Sequence, residues 1–135
     1  MSYALIPHSQ GWAESGIVKA SHELLHPLLG RVVASHEGPL PSDRWGFLEL
    51  DASSTLASSV KPARGGGIAV RVYESAGKAD HGRLLQLHAS VAAACEANLL
   101  EDPIRRLLLQ NDGLRFDMHP YEIKTFVFRL GPAIR

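Results

Sequence analysis

One stretch of nine residues, Gly67–Ser75, limits what this chain can fold into. Its alternate apolar positions are Ile68, Val70 and Val72. β-Branched residues at every second position are typical of a strand that is buried on one face only. The glycine triplet 65–67 opens the stretch and is interpreted as a flexible hairpin tip, since no Lys-Ser/Thr pair or helix follows it as in a phosphate loop. The pattern therefore predicts a central, half-buried β-strand.

Further short apolar stretches follow at intervals of roughly ten residues, separated by turn-forming residues. The other predicted strands are Trp45–Asp51, Leu56–Lys61, Arg83–Val91, Leu107–Gln110, Leu114–His119 and Glu122–Leu130. The sequence Asn111-Asp112-Gly113 predicts a tight hairpin between two of them. Short strands at this spacing predict a mainly all-β fold, an antiparallel β-sandwich of immunoglobulin-like type preceded by one α-helix.

The residues before the predicted sandwich have a helical pattern instead. Apolar residues at spacings of three and four are Ala13, Ile17, Ala20, Leu24 and Leu28. They predict a helix between about residues 10 and 26, which Pro27 ends. Residues 30–44 are rich in glycine and proline and read as a linker. We therefore expect a lead-in strand (3–8), helix and linker in residues 1–44, and the compact domain in residues 45–135.

Composition narrows the class of protein. Lysine plus arginine and aspartate plus glutamate both number 14, and this zero net charge argues against a nucleic-acid partner. The single cysteine, Cys95, excludes a disulfide within the chain and is expected to be a small buried side chain. No signal-peptide pattern occurs, and no stretch approaches the ~20 apolar residues of a membrane helix. We therefore expect a soluble protein of the bacterial cytoplasm with no membrane partner.

Several short segments carry a family resemblance through their order and spacing. They are Tyr3–His8, Gly11-Trp12, Ser59–Pro62, Val70–Glu74, Gly77, Asn98–Glu101 and His119–Thr125. Together they resemble the C-terminal region of glycoside hydrolase family 38, the α-mannosidases, over nearly the whole chain. The resemblance favours a strand at Ala92–Leu100, although the alanine-rich sequence there favours a helix intrinsically.

The resemblance implies a structural domain at the end of a longer, retaining, zinc-dependent α-mannosidase. In that family the Asp nucleophile, the acid/base carboxylate and the zinc lie in an N-terminal α/β domain, on motifs such as His-x-Asp that do not occur here. We therefore assign no catalytic, cofactor-binding or metal-binding residue to this chain, and expect zinc in the missing catalytic domain. The implied partners are the catalytic and central domains of the parent chain, which is expected to be able to form a homo-oligomer.

A group of polar residues is the candidate site in this chain. Its members are Arg71, Tyr73, Glu74, Tyr121, Glu122 and Lys124. We interpret them as a structural or interdomain cluster, in which Arg71 pairs with a carboxylate, Glu122 before Glu74. The alternative is a sugar-binding surface, with Tyr73 or Tyr121 stacking on a pyranose. The chain would then be a carbohydrate-binding module.

A second alternative comes from His22-Glu23-Leu24-Leu25-His26, which matches the His-Glu-x-x-His pattern of zinc metallopeptidases. Two histidines four residues apart share a helix face and can hold zinc, with Glu23 as general base. However, Pro27 ends the helix directly after His26, and no third ligand is evident downstream. We therefore favour two surface histidines near a helix end.

Overall fold

The computed structural model describes residues 4–111 and 113–132. The chain divides after Arg44 into two units, residues 1–44 and residues 45–135. The described part of the first unit holds one helix, and that of the second holds eight strands. No helix among the described residues is long and apolar enough to cross a membrane.

The helix of the first unit, α1, spans Ile17–Leu25 and is shorter than the sequence predicts. It begins only after Gly16, whose φ of 70° is left-handed and therefore incompatible with an uninterrupted helix from residue 10. It ends directly before His26, because the residue that precedes a proline disfavours helical geometry. The end of the helix was predicted correctly and its start was not.

The remainder of the first unit forms no regular structure in its described residues. The predicted lead-in strand is absent over residues 4–8, and Tyr3 lies outside the described residues. Residues 27–44 have no strand or helix either. No residue of α1 is buried, and Leu28 and Val32 are fully exposed within this linker segment.

The second unit is built from eight strands. They are β1 (Leu48–Asp51), β2 (Thr55–Pro62), β3 (Ile68–Glu74), β4 (Asp80–Leu87), β5 (Val91–Ala97), β6 (Pro103–Leu107), β7 (Gly113–Met118) and β8 (Ile123–Leu130). Strands β1-β4-β7 form a three-stranded sheet, and β2-β3-β8-β5-β6 form a five-stranded sheet, with antiparallel pairing throughout. The predicted antiparallel β-sandwich preceded by one helix is confirmed.

The core lies between the two sheets. Its fully buried side chains are Val70, Val72, Phe126 and Phe128 from the five-stranded sheet and Leu85, Leu87, Leu114 and Met118 from the three-stranded sheet. The rings of Phe116 and Phe126 meet across the interface, with centroids 4.9 Å apart. At one end, the buried Thr55 hydroxyl on β2 donates to the Asp80 carboxylate on β4 (2.9 Å) and so links the sheets by a polar contact as well.

Two ambiguous segments are resolved by packing. Residues 91–97 form strand β5 in the middle of a sheet, so tertiary pairing overrides the helical propensity of the alanines. The predicted hairpin at 111–113 is reduced to a tight turn with one bridge between Gln110 and Gly113. Its flanking strands do not pair: β6 joins β5, while β7 joins β4 in the other sheet. Asp112 of this turn lies outside the described residues.

Candidate functional site

The five-stranded sheet has a second face that points away from the main core, which we call the outer face. Side chains alternate along a strand, so Arg71 and Tyr73 lie on the outer face while Val70 and Val72 enter the core. A separate apolar cluster made of Ala63, Ala69, Ala97 and Val127 is buried on this side of the sheet. The outer face is therefore covered in part by other segments of the same chain.

One such segment is the loop of residues 98–102 between β5 and β6, which we call the β5–β6 loop. Asn98 Oδ1 accepts hydrogen bonds from the backbone N–H groups of Leu100 (2.8 Å) and Asp102 (3.0 Å). The Glu101 N–H donates to the Asn98 carbonyl (3.0 Å), and Glu101 adopts a left-handed φ of 71°. An asparagine that binds its own loop in this way fixes the turn without any partner from outside.

The side chain of Glu101 ties this loop to the opposite side of the outer face. Its carboxylate accepts from the Lys61 ammonium on β2 and from the Arg64 backbone N–H (2.6 Å). The Glu101 side chain is only 6% exposed, and the hydrogen bonds from Lys61 and Arg64 lower the pKa of its carboxyl. Strands β8 and β3 lie between β5 and β2 in the sheet. The β5–β6 loop therefore reaches across three strand spacings to make this contact.

Arg71 on β3 binds the same loop. Its guanidinium donates to the Leu99 carbonyl (2.9 Å) and to the Thr125 hydroxyl on β8 (3.2 Å). The predicted pairing of Arg71 with Glu122 or Glu74 is wrong. Glu74 lies two positions after Val72 and four after Val70, so its side chain points to the same side of the sheet as theirs, away from the outer face.

Glu74 lies in a buried corner of the sandwich, where strand β3 ends and strand β8 begins. Its carboxylate, in a residue that is 2% exposed, accepts from the backbone N–H groups of Ala76 (2.8 Å), Gly77 (2.7 Å), Lys78 (3.2 Å) and Tyr121 (3.0 Å). Burial alone raises the pKa of Glu74, but the N–H groups together with the Ser54 hydroxyl lower that pKa to about 2. Glu74 is therefore ionised and holds two turns together.

Tyr121 belongs to this corner mainly through its backbone. It has a left-handed φ of 59°, and its N–H is directed at Glu74. Its ring lies against Gly77 so closely that a Cβ at that glycine would come within 2.5 Å of the ring carbon Cζ. The absence of a side chain at Gly77 is what allows the turn after β3 to pack on this tyrosine.

Glu122 and Lys124 complete the corner. The Glu122 carboxylate accepts from the His119 N–H (2.8 Å) and lies 3.4 Å from the Lys124 ammonium. Lys124 also donates to the Asp117 carbonyl (2.6 Å). Tyr73 is half-buried on the outer face, and this burial raises its pKa.

The six predicted residues thus fall into two groups, one on the outer face and one at the Glu74 corner. Sequence reasoning missed Lys61, Leu99 and Glu101, which complete the outer-face group. A signal was available, since all three lie in segments that carry the family resemblance, Ser59–Pro62 and Asn98–Glu101. Those segments are 40 residues apart at the Lys61–Glu101 contact, so no local pattern could pair them.

A family model described as "Glycosyl hydrolases family 38 C-terminal beta sandwich domain" matches residues 56–126, a range that contains both groups. The chain belongs to this family. The resemblance drawn from the short segments is therefore confirmed, and the family 38 description agrees with the two-sheet fold.

Two relatives of this family 38 chain are α-mannosidases. Alpha-mannosidase 2C1 from Homo sapiens is 26% identical over 136 residues, which cover 97% of this chain and 13% of the human protein. Alpha-mannosidase 2C1 from Mus musculus is 26% identical over 139 residues, 96% of this chain and 13% of the mouse protein. The chain therefore spans about an eighth of the length of the curated relatives that it matches.

In this family 38 chain, the two histidines of the metallopeptidase pattern lie on either side of the end of α1. His26 lies beyond the end of α1, and its Nδ1 is 3.0 Å from the His22 carbonyl oxygen. The two imidazole rings stack, with centroids 5.8 Å apart. Within residues 4–111 and 113–132, no group of three or more His, Cys, Asp or Glu side chains is arranged to hold a metal ion.

Proposed function

We propose that this chain is a non-catalytic C-terminal domain of an α-mannosidase, and that it binds the catalytic and central domains of the same parent chain. The observation that carries this proposal is the alignment: 97% of the chain matches 13% of an α-mannosidase. A segment of that size, with a sandwich fold of its own, is expected to fold as one domain and to pack on its neighbours.

The chemistry of the carboxylates supports a structural role. Glu74 is surrounded by N–H donors, and Glu101 is held by Lys61 and by the Arg64 N–H. Retaining glycosidases need two carboxyl groups about 5 Å apart across the scissile bond, one of them able to give up and regain a proton. A carboxylate with a pKa near 2, such as that of Glu74, is a poor proton donor at neutral pH.

The exposed apolar side chains support contact with other domains. Leu28, Leu29 and Val32 of the first unit are at least 95% exposed, and Leu99 and Leu100 of the second are 60% and 70% exposed. Neighbouring exposed apolar residues within one segment are typical of interaction sites. We assign the zinc and the catalytic carboxylates to the remainder of the parent chain, as the family 38 resemblance implies.

An assay of the intact parent beside the isolated chain tests this proposal. We expect the parent to hydrolyse an aryl α-mannoside and the isolated chain to be inactive with or without added zinc. Turnover by the isolated chain that follows the protein through purification would overturn it. Saturable binding of manno-oligosaccharides to the isolated chain would favour the carbohydrate-binding module instead. A bacterial cytoplasmic location and a homo-oligomer stay predictions from the sequence.

A further inference from the structure

Four cations lie on the outer face of the five-stranded sheet. They are Lys61, Arg71, Arg106 and Arg129, on β2, β3, β6 and β8. Residues paired across neighbouring strands point to the same side, and Lys61 is paired with Ala69 of the outer apolar cluster. Arg106 is likewise paired with Cys95, which packs against that cluster. The chain as a whole is neutral, whereas this face carries these four cations beside the carboxylate of Glu101.

The carboxylates near these cations compensate two of the four charges. Glu101 is bound to Lys61 and to the Arg64 N–H and is also attracted by the Arg71 guanidinium, and Asp102 accepts from the Asn98 side chain (3.1 Å). No ion pair joins Arg106 or Arg129 to a carboxylate in the part of the chain that the structure describes. A face of this kind attracts a negatively charged partner.

The β5–β6 loop projects two leucines from the basic outer face. Leu99 and Leu100 are 60% and 70% exposed, although their backbone is fixed by Asn98, Arg71 and Glu101. An apolar side chain on a loop that is already ordered loses little further conformational entropy on binding. The loop therefore presents two apolar side chains on a preorganised backbone, which lowers the cost of inserting them into a pocket of a partner.

We propose that Leu99 and Leu100 insert into an apolar socket flanked by carboxylates on the remainder of the parent chain. This inference rests on the proposed function and goes beyond it by naming the contact and the chemistry of the partner surface. A nucleic acid would supply negative charge but no apolar socket for the leucines. A second copy of the outer face would oppose cations to cations, which is unfavourable.

Hydroxyl-radical footprinting of the intact parent and of the isolated 135-residue chain tests the contact directly. We expect modification of Leu99 and Leu100 to fall several-fold in the intact parent. Leu108, in the connection between β6 and β7, is 91% exposed and provides the matched control, with similar modification in both samples. Charge reversal by Arg106→Glu in the intact parent should restore part of the leucine modification, whereas Arg115→Glu on β7 of the other sheet should not.

The outcomes separate this inference from the proposed function. If residues elsewhere in the chain become protected in the parent but Leu99 and Leu100 do not, the inference fails and the proposed function stands. If no residue of the chain is protected, both fail. Protection of the leucines in the isolated chain that grows with its concentration would show a second copy as the occupant and overturn the inference.

Discussion

Glu101 and Lys61 form an ion pair across the outer face, from the loop after β5 to strand β2, with β8 and β3 between them. The Lys61 side chain is half exposed and the Glu101 side chain is almost fully covered. The Arg64 N–H is the second donor to the same carboxylate. The position of the β5–β6 loop on the sheet therefore depends strongly on one side chain.

Glu101→Gln should loosen the β5–β6 loop without unfolding the sandwich. The neutral amide weakens the contacts with Lys61 and the Arg64 N–H, whereas the core between the sheets is untouched. We expect faster amide hydrogen exchange in residues 98–102, measured by mass spectrometry, and unchanged exchange in β8. Asp117→Asn, at an exposed carboxylate bound by the Gly82 N–H, is the control. Equal exchange in residues 98–102 of wild type and Glu101→Gln would contradict the role assigned to Glu101.

Glu74→Gln should destabilise the whole domain. The substitution keeps the shape of the side chain but removes the charge that four backbone N–H groups face in a buried corner. We expect a loss of roughly 2–4 kcal/mol in the free energy of unfolding, measured with urea, since hydrogen bonds to charged groups are the stronger ones. Glu49→Gln, at an exposed carboxylate paired with His88, should change the stability by less than about 1 kcal/mol. A small effect at Glu74 would mean that the turns hold without it.

The same carboxylate predicts a pH dependence in acid. The pKa of Glu74 is lowered from its usual 4.5 to about 2 in the folded protein, so the unfolded state binds this proton more readily. Its stabilising contribution is complete above about pH 4.5 and is lost as the pH falls from 4.5 towards 2. We expect wild type to lose more stability than Glu74→Gln between pH 5 and pH 3, with urea unfolding at each pH as the measurement. If the free energy of unfolding fell equally with pH in the two proteins, the lowered pKa would not belong to Glu74.

Local patterns predicted most of the strands but not all of their partners, and the predicted strand Leu107–Gln110 is wrong, since β6 spans Pro103–Leu107. The alternation in Gly67–Ser75 correctly assigned Val70 and Val72 to the core. The turn at residues 110–113 has the sequence of a hairpin, yet β7 pairs with β4 because Leu114 and Met118 must be buried against the opposite sheet. The choice of pairing partner depends on the apolar surface that the two sheets bury together, and the turn sequence carries no information about that burial.

Only those features of the candidate site that follow from the alternation of side chains along a strand could be predicted from the sequence. The parity of Glu74 with Val70 and Val72 was visible in the sequence and indicates an inward side chain, although its charge suggests the surface. The partner of Arg71 was not visible, because it is the Leu99 carbonyl of a loop 28 residues away. Backbone acceptors in a folded loop have no sequence signature.

The histidine pair of the first unit should not bind zinc stoichiometrically. His26 lies outside α1 and its Nδ1 is directed at the His22 carbonyl oxygen, so the pair lacks the fixed ligand geometry of a closed zinc site. We expect metal analysis of the purified chain to return well below one zinc per chain. His26→Ala should leave that value unchanged. One zinc per chain, abolished by His26→Ala, would support the metallopeptidase alternative.

Two adjacent glycines in the turn between β2 and β3 provide a test of close backbone packing. Gly66 and Gly67 have the same left-handed φ, 88° and 87°, so an alanine is strained equally by the backbone at both. They differ in their surroundings. A Cβ at Gly67 would lie 2.1 Å from the Phe128 carbonyl oxygen on β8, whereas at Gly66 the nearest atom is the end of the Arg129 side chain at 3.9 Å.

Gly66→Ala should therefore cost about 1–2 kcal/mol in the free energy of unfolding from its backbone conformation alone. Gly67→Ala should cost a further 1–3 kcal/mol or so, because the turn must move away from β8 to admit the methyl group. Urea unfolding of the two variants measures the difference, in which the shared backbone strain cancels. The glycine triplet was interpreted from the sequence as a flexible tip. Equal losses at the two positions would restore that interpretation, whereas a larger loss at Gly67 means that this glycine is required by the approach of two backbones.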